Sequence, residues 1–214
     1  MRNTVGPIRM RIAQAETTNR PKEETKVGLN NQTSQSSDKP EGIERIDAEE
    51  PSMEHRQNEP WLNIVLYKPE IPYNAGNAGR TCVALGAKLW MVRPLGFVID
   101  SKHIRRAGLD YWQHLDHQVV DDWQQLCSFL PLERMWFFTK KAERPHTDAQ
   151  FSTGDALVFG SESSGLPDEI LNACPSRCLR LPMRPLVRSL NLAVSVGVAA
   201  YEAWRQLGGA GDIR

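Results

Sequence analysis

An α/β fold, with a mainly parallel sheet flanked by helices, is predicted by two features of the sequence. From Trp61 onward, short apolar runs alternate with amphipathic stretches, the pattern of a domain built from strand and helix in turn. Several of these runs also end in loops punctuated by Gly or Pro that open into a helix-like segment, as at Pro69–Thr81 and Gly160–Pro167. Strands are expected at Leu62–Tyr67, Lys88–Val92, Arg134–Thr139, Ala156–Phe159 and Cys178–Leu181, each rich in Leu, Val, Ile or aromatic residues, with Leu115–Val119 as a sixth candidate. Helices are expected at about Asn77–Leu85, Asp121–Phe129, Asp168–Ala173 and Leu190–Leu207, the last ended by Gly208-Gly209.

Residues 1–59 differ in kind. They contain no Phe, Trp or Tyr and are crowded with Asn, Gln, Ser, Thr, Glu, Lys and Pro, so they cannot bury enough apolar surface to offset ordering entropy. A disordered polar extension over 1–59, a single domain over 60–209 and a short flexible tail over 210–214 are expected. The extension carries nine basic and eleven acidic residues, which makes it a poor RNA-binding arm. Its first dozen residues are basic and free of acid, as in an organellar leader, but the acidic stretch Glu41–Glu59 opposes a long one.

The whole chain of 214 residues balances 26 basic against 26 acidic side chains, so no global field concentrates it on nucleic acid or an anionic membrane. An RNA site must then be a local patch. No stretch reaches the roughly 18 apolar residues of a membrane span, and a soluble, cytoplasmic protein is expected. Cys82, Cys127, Cys174 and Cys178 form no C-x-x-C pair and are expected as reduced, buried thiols, with a Cys174–Cys178 disulfide as the sharper alternative. The five histidines lack ligand spacing, so no metal is expected.

Three segments carry the candidate chemistry. In Pro69-Glu70-Ile71-Pro72-Tyr73-Asn74-Ala75-Gly76-Asn77-Ala78-Gly79-Arg80-Thr81, a turn runs into a helix. Ligands of open α/β sheets bind at the carboxyl ends of strands, where this turn lies. Gly76 permits close backbone approach, the Asn side chains can hold the turn, and Arg80 offers a fixed fork for an anion. An ordinary helix start with a solvent-facing arginine remains the alternative. The second segment, Phe159-Gly160-Ser161-Glu162-Ser163-Ser164-Gly165-Leu166-Pro167, leaves backbone groups open to a flat polar ligand such as adenosine, and Glu162 adds a carboxylate. It lacks the G-x-G-x-x-G of a dinucleotide fold and the G-x-S-x-G spacing of a hydrolase elbow. The third runs from Leu179 to Ser195, a strand, a Pro-bounded loop and a helix start, with Ser189 placed as N-cap and Asn191 beside it. The helix that follows is small and apolar nearly all round, which suits a core, a subunit interface or both. Arg105, Arg106, Lys140, Lys141, Arg144, Arg184 and Arg188 sit in or beside the loops as candidate phosphate contacts, and Tyr73 or Trp112 could stack on a base.

Together and in this order, the three segments resemble the motifs of the SpoU branch of the SPOUT RNA methyltransferases, and the likeness spans about residues 61–209. Within that branch the chain is most similar to the TrmL/YibK group of tRNA wobble-ribose methyltransferases. Pro94-Leu95-Gly96-Phe97, Arg105-Arg106-Ala107-Gly108-Leu109-Asp110-Tyr111 and Tyr201-Glu202-Ala203-Trp204-Arg205-Gln206-Leu207-Gly208 also look like that group. The resemblance implies a C-terminal deep trefoil knot, which general topology rules would exclude. It implies S-adenosylmethionine as cofactor, held by Phe138, Gly160, Leu181, Ser189 and Leu190. It implies a homodimer that carries Arg80 of one subunit toward the cofactor of the other, with Asn77, Glu162 and Asn191 completing the catalytic set. The RNA contacts expected are Arg105, Arg106, Lys140, Arg188 and Tyr201, and the substrate is the anticodon stem-loop of tRNA, methylated on the 2'-hydroxyl of a wobble cytidine or modified uridine. Methylation of another RNA, or RNA binding without catalysis, stay open as alternatives. Ala78-Gly79 stands where bulkier residues are common in the group, and a looser helix start is expected there.

Overall fold

In the computed structural model, residues 60–98 and 110–209 are described, and they lie in the compact unit Glu49–Arg214. The expected extension over 1–59, Arg105, Arg106 and the tail after Gly209 fall outside the described residues. Six strands form one sheet: β1 (Leu62–Tyr67), β2 (Lys88–Val92), β3 (His117–Val120), β4 (Met135–Phe138), β5 (Asp155–Phe159) and β6 (Cys178–Leu179). The order is β3-β2-β1-β5-β4-β6 and every pairing is parallel. Among the described residues four α-helices lie between or after them: α1 (Pro72–Leu85), α2 (Trp123–Phe129), α3 (Asp168–Ala173) and α4 (Leu192–Gln206).

Alternate strand residues feed two cores. Leu62, Ile64, Leu66, Leu89, Met91, Leu157 and Phe159 pack with α1 and α4 on one face; Val65, Trp90, Val92, Phe137 and Val158 pack with α2 and α3 on the other. Because both faces are covered, β1 and β5 are apolar almost without interruption. Full burial of each Leu, Ile or Phe contributes about 1.5–3 kcal/mol.

Several boundaries differ from the sequence expectation for physical reasons. The first helix begins at Pro72, five residues before the expected Asn77, so Asn74 and Gly76 lie in a helical turn and not in a loop. Pro72 occupies the first helical position, where its missing N–H costs nothing and its fixed φ favours the helix. Gly79 is not loose: a Cβ there would meet Leu115 at 2.9 Å and Trp112 at 3.3 Å. The sixth candidate strand is real but starts at His117, after a 3-10 turn over Asp110–His114. Arg134 belongs to a 3-10 turn preceding β4. Ser189 is not the cap of the last helix; the Asn191 side chain accepts hydrogen bonds from the N–H groups of Ala193 (2.9 Å) and Val194 (3.3 Å). Gly208 and Gly209, both at positive φ, end that helix as expected. All four cysteines are free thiols, and burial pushes the thiol of Cys82 far up, which makes it inert.

Two arrangements near the C-terminus position the site. The connection after β4 runs along the segment after β6: Thr139 N–H donates to Leu179 O, Arg180 N–H to Arg144 O and His146 N–H to Arg180 O, each at 2.9 Å. Beyond that segment, α4 packs across α1 and β5, burying Leu192, Val196, Ala199, Ala200 and Ala203. Its other side, Val194, Val198 and Tyr201, is about half exposed in the single chain.

Candidate active site

The carboxyl ends of β4 and β5 and the segment after β6 open into one cavity of about 560 Å³, within the usual range of small-molecule sites. Phe138 and Phe159 form part of its floor, stacked with ring centroids 4.7 Å apart and planes 18° from parallel. Gly160, Leu181, Ser189 and Leu190 also line it, so the five residues expected around a cofactor converge. Gly160 is constrained by space: a Cβ would stand 2.1 Å from the carbonyl carbon of Gly165 and 2.2 Å from the nitrogen of Leu166. The loop that crowds it folds back at Gly165 (φ +72°), whose N–H donates to Ser161 O at 2.9 Å. Glycine at position 160 therefore lets this loop pack directly against the end of β5, beside the cavity.

A chain of hydrogen bonds ties the three segments together. Glu162 accepts from the N–H of Glu70 (2.8 Å) and of Ile71 (3.2 Å), at the start of α1, and from Asn74 Nδ2 (2.9 Å). Asn74 Oδ1 in turn accepts from Asn191 Nδ2 at 2.9 Å, and Asn191 caps α4. In return, the carboxylate of Glu70 accepts from the N–H (3.1 Å) and the hydroxyl of Ser163. Two helix starts and the Gly-rich loop are thus held in one register, with the acceptors at the positive ends of the helix dipoles. Glu162 and Asn191 line the cavity, but their hydrogen bonds make them builders of its wall.

Sequence reasoning assigned Asn74 only to a turn. Its signal appears only once the helix is extended back to Pro72: Asn74 then falls on the stripe Asn74, Ala75, Ala78, Cys82, Leu85 that α1 buries, and a buried amide requires partners.

The remaining expected residues divide. Lys140 and Arg188 stand exposed among the cavity's lining residues. Arg80, Asn77 and Tyr201 are not among those residues. Arg80 lies six residues beyond Asn74, about 9 Å along the helix axis, on the exposed side of α1 with Asn77. Its guanidinium sits over the ring of Tyr111, 4.7 Å from the centroid. Tyr201 lies on the outer side of α4, edge-on to Trp204. Among the described residues no group of three or more His, Cys, Asp or Glu side chains is gathered as a metal site, and no helix is long and apolar enough to cross a membrane.

These features define a class: a parallel α/β domain with a ligand cleft assembled at the strand carboxyl ends from three sequence-distant segments. The chain belongs to the SpoU rRNA methylase family, whose model matches residues 61–201. It is 46% identical to a tRNA (cytidine(34)-2'-O)-methyltransferase of Methylovorus glucosotrophus over 71% of this chain and 99% of that protein. It is 43% identical to the protein of the same description from Escherichia coli, over 71% of this chain and 98% of that one. A solved structure described as giving insight into 2-OH methylation of C/U34 on tRNA is 51% identical, with a TM-score of 0.63, covering 69% of this chain and 97% of that one. The SpoU methyltransferase AviRb of Streptomyces viridochromogenes, solved with AdoMet, shares the fold at 24% identity and a TM-score of 0.61, over 72% of this chain and 60% of that one.

Proposed function

We propose that this chain is an S-adenosylmethionine-dependent methyltransferase acting on the ribose 2'-hydroxyl of the wobble nucleotide of tRNA, a cytidine or modified uridine. The observation that carries this reading is the convergence of the three motif segments on one cavity, in a chain that aligns with nearly the full length of tRNA (cytidine(34)-2'-O)-methyltransferases.

The cavity suits the cofactor. Gly160 lets the Gly165–Leu166 backbone pack directly against the end of β5, where no Cβ would fit, and beside it the Phe138–Phe159 stack and Leu181 give an apolar floor, with Ser189 and Leu190 closing the side. When bound, S-adenosylmethionine supplies an electrophilic methyl group. The protein's task is to align a ribose oxygen with that group and to favour loss of the hydroxyl proton. Arg80 is the residue assigned to the second task. A guanidinium stays charged at physiological pH, so it acts by clamping phosphate and stabilising the developing alkoxide. Asn77, one helical turn before it on the same exposed face, flanks the RNA backbone. Glu162 and Asn191 hold the cavity's shape. Lys140 and Arg188 at the cavity, Tyr201 on α4, and Arg105 and Arg106 form the RNA-binding set, directed at the anticodon stem-loop.

Homodimerisation belongs to the same reading. Arg80 lies outside the cavity of its own chain, and the half-exposed Val194, Val198 and Tyr201 offer an apolar face through which a second copy brings its Arg80 to the cofactor. The deep trefoil knot is supported by the connection after β4 lying along residues 179–181 before α4 returns across α1 and β5. The catalytic domain spans 60–209, and an enzyme of this kind works in the cytoplasm.

The test is methyl transfer from labelled S-adenosylmethionine to tRNA, with the modified nucleotide mapped. Label at the 2'-oxygen of the wobble nucleotide supports the proposal. Label only at another position, or binding of tRNA without transfer, overturns it.

A further inference from the structure

The segment around Tyr111 resembles the wobble-methylating group, yet the reading above gives it no task. Tyr111 lies in the 3-10 turn Asp110–His114, which docks on α1. Its hydroxyl donates to Gly76 O at 2.8 Å. That carbonyl lies four residues before Arg80, the position to which a helix directs the backbone N–H of Arg80. The far end of the tyrosine is therefore tied to the same turn of helix that carries the arginine. Helical side chains lean toward the N-terminus, so Arg80 runs back over this turn, and its guanidinium comes to rest 4.7 Å from the ring centroid of Tyr111. The docking depends on a small residue of the first motif: a Cβ at Gly79 would collide with Leu115 and press on Trp112 of the same turn.

We propose that Tyr111 is a positioning residue for catalysis: its ring face holds the Arg80 guanidinium in one orientation, with the N–H groups directed outward to RNA. Stacking on an aromatic face uses the flat surface of a guanidinium and leaves its donors at the edge for phosphate or ribose oxygen. A long arginine side chain without such a platform samples many rotamers, and restricting them beforehand removes part of the ordering cost at the moment of reaction. The inference rests on the role proposed for Arg80.

The experiment compares Tyr111→Phe, Tyr111→Trp and Tyr111→Leu in the full chain. It uses single-turnover methyl transfer to tRNA, S-adenosylmethionine affinity and thermal melting. Tyr111→Leu is expected to lower the rate constant about tenfold or more, with cofactor affinity changed less than about twofold, while Tyr111→Phe and Tyr111→Trp keep most of the rate. Since Tyr111→Leu also disturbs packing, phenylalanines of increasing ring fluorination at position 111 supply a second series with nearly constant shape. The rate should fall stepwise as the π-face loses its negative potential. A rate indifferent to fluorination, or a Tyr111→Phe variant as slow as Tyr111→Leu, overturns the proposal. Arg80→Ala is run alongside: if it is fully active, the role of Arg80 itself is wrong; if it is inactive while the fluorinated series is flat, only the platform is wrong.

Discussion

The cleft and the outward faces of α1 and α4 meet at the same two helices, whose first turns border the cleft, yet they are finished to different degrees. Inside, Asn74, Glu162, Asn191, Glu70 and Ser163 satisfy one another across three segments, and Gly160 leaves no spare volume. Outside, Asn77, Arg80, Val194, Val198 and Tyr201 are exposed to solvent in a single chain. Shape is thus fixed around the cavity, and side chains are left presented on the outer faces. On the proposed reading, association with a second copy and with RNA covers those faces.

The sharpest way to break this contrast is Arg80→Ala. Removing a charge-stabilising donor is expected to reduce methyl transfer by about 10²–10³-fold, with calorimetric affinity for S-adenosylmethionine nearly unchanged. Parallel loss of both would mean that the two regions are not separable. Val198→Asp tests the outward side of α4: a carboxylate forced into an apolar contact costs several kcal/mol. Sedimentation should show a dimer converted to a monomer, with transfer reduced about as much as in Arg80→Ala, about 10²–10³-fold, because the partner's arginine is then absent; a monomeric wild type would remove the basis of the comparison. Gly160→Ala acts on the inner region alone. The added methyl group must displace the Gly165 backbone, at a cost of about 1–3 kcal/mol. It should weaken cofactor binding and lower the melting temperature by several degrees, while the sedimentation profile stays that of the wild type.

The smallest effect is expected at the end of α4. A hydrogen bond from Arg205, aided by Gln206, holds the Glu202 carboxyl down to about 2. A depressed folded-state value stabilises the protein above the unfolded-state range near 4.5 and ceases to do so as pH falls toward about 2. Melting curves of Glu202→Gln and wild type should therefore differ at pH 7 and converge through that interval. A constant gap across it would reject the linkage.

Most of the architecture was legible in the sequence because strand composition and helix punctuation are local signals. The runs at Leu62–Tyr67 and Lys88–Val92, and the helix at Asp168–Ala173, fall where composition placed them. The start of α1 did not, because Pro72-Tyr73-Asn74-Ala75-Gly76-Asn77 has the composition of a turn. The acceptor that supports a helix there is Glu162, about ninety residues away. The cap of α4 was off by two residues for a related reason: Ser189 and Asn191 are both good caps, and the contact with Asn74 that holds Asn191 in place is long-range. The motif residues Gly160 and Leu181 were legible as site residues and do meet in the cavity. What the sequence concealed was the division of labour. Glu162 looked like a chemical group and spends its oxygens on two backbone N–H groups and an amide, whereas Asn74 looked like a turn former and is the link between two helix starts.

The bonds between the connection after β4 and residues 179–181 bear on biosynthesis. During translation, the five strands that make up most of the sheet are synthesised before Leu181, Ser189 and Asn191. A chain that stops short of these residues has most of the sheet but neither the pocket nor the helix α4 that covers one face. Ligand competence waits for these three residues, so S-adenosylmethionine can stabilise only chains extended beyond Asn191.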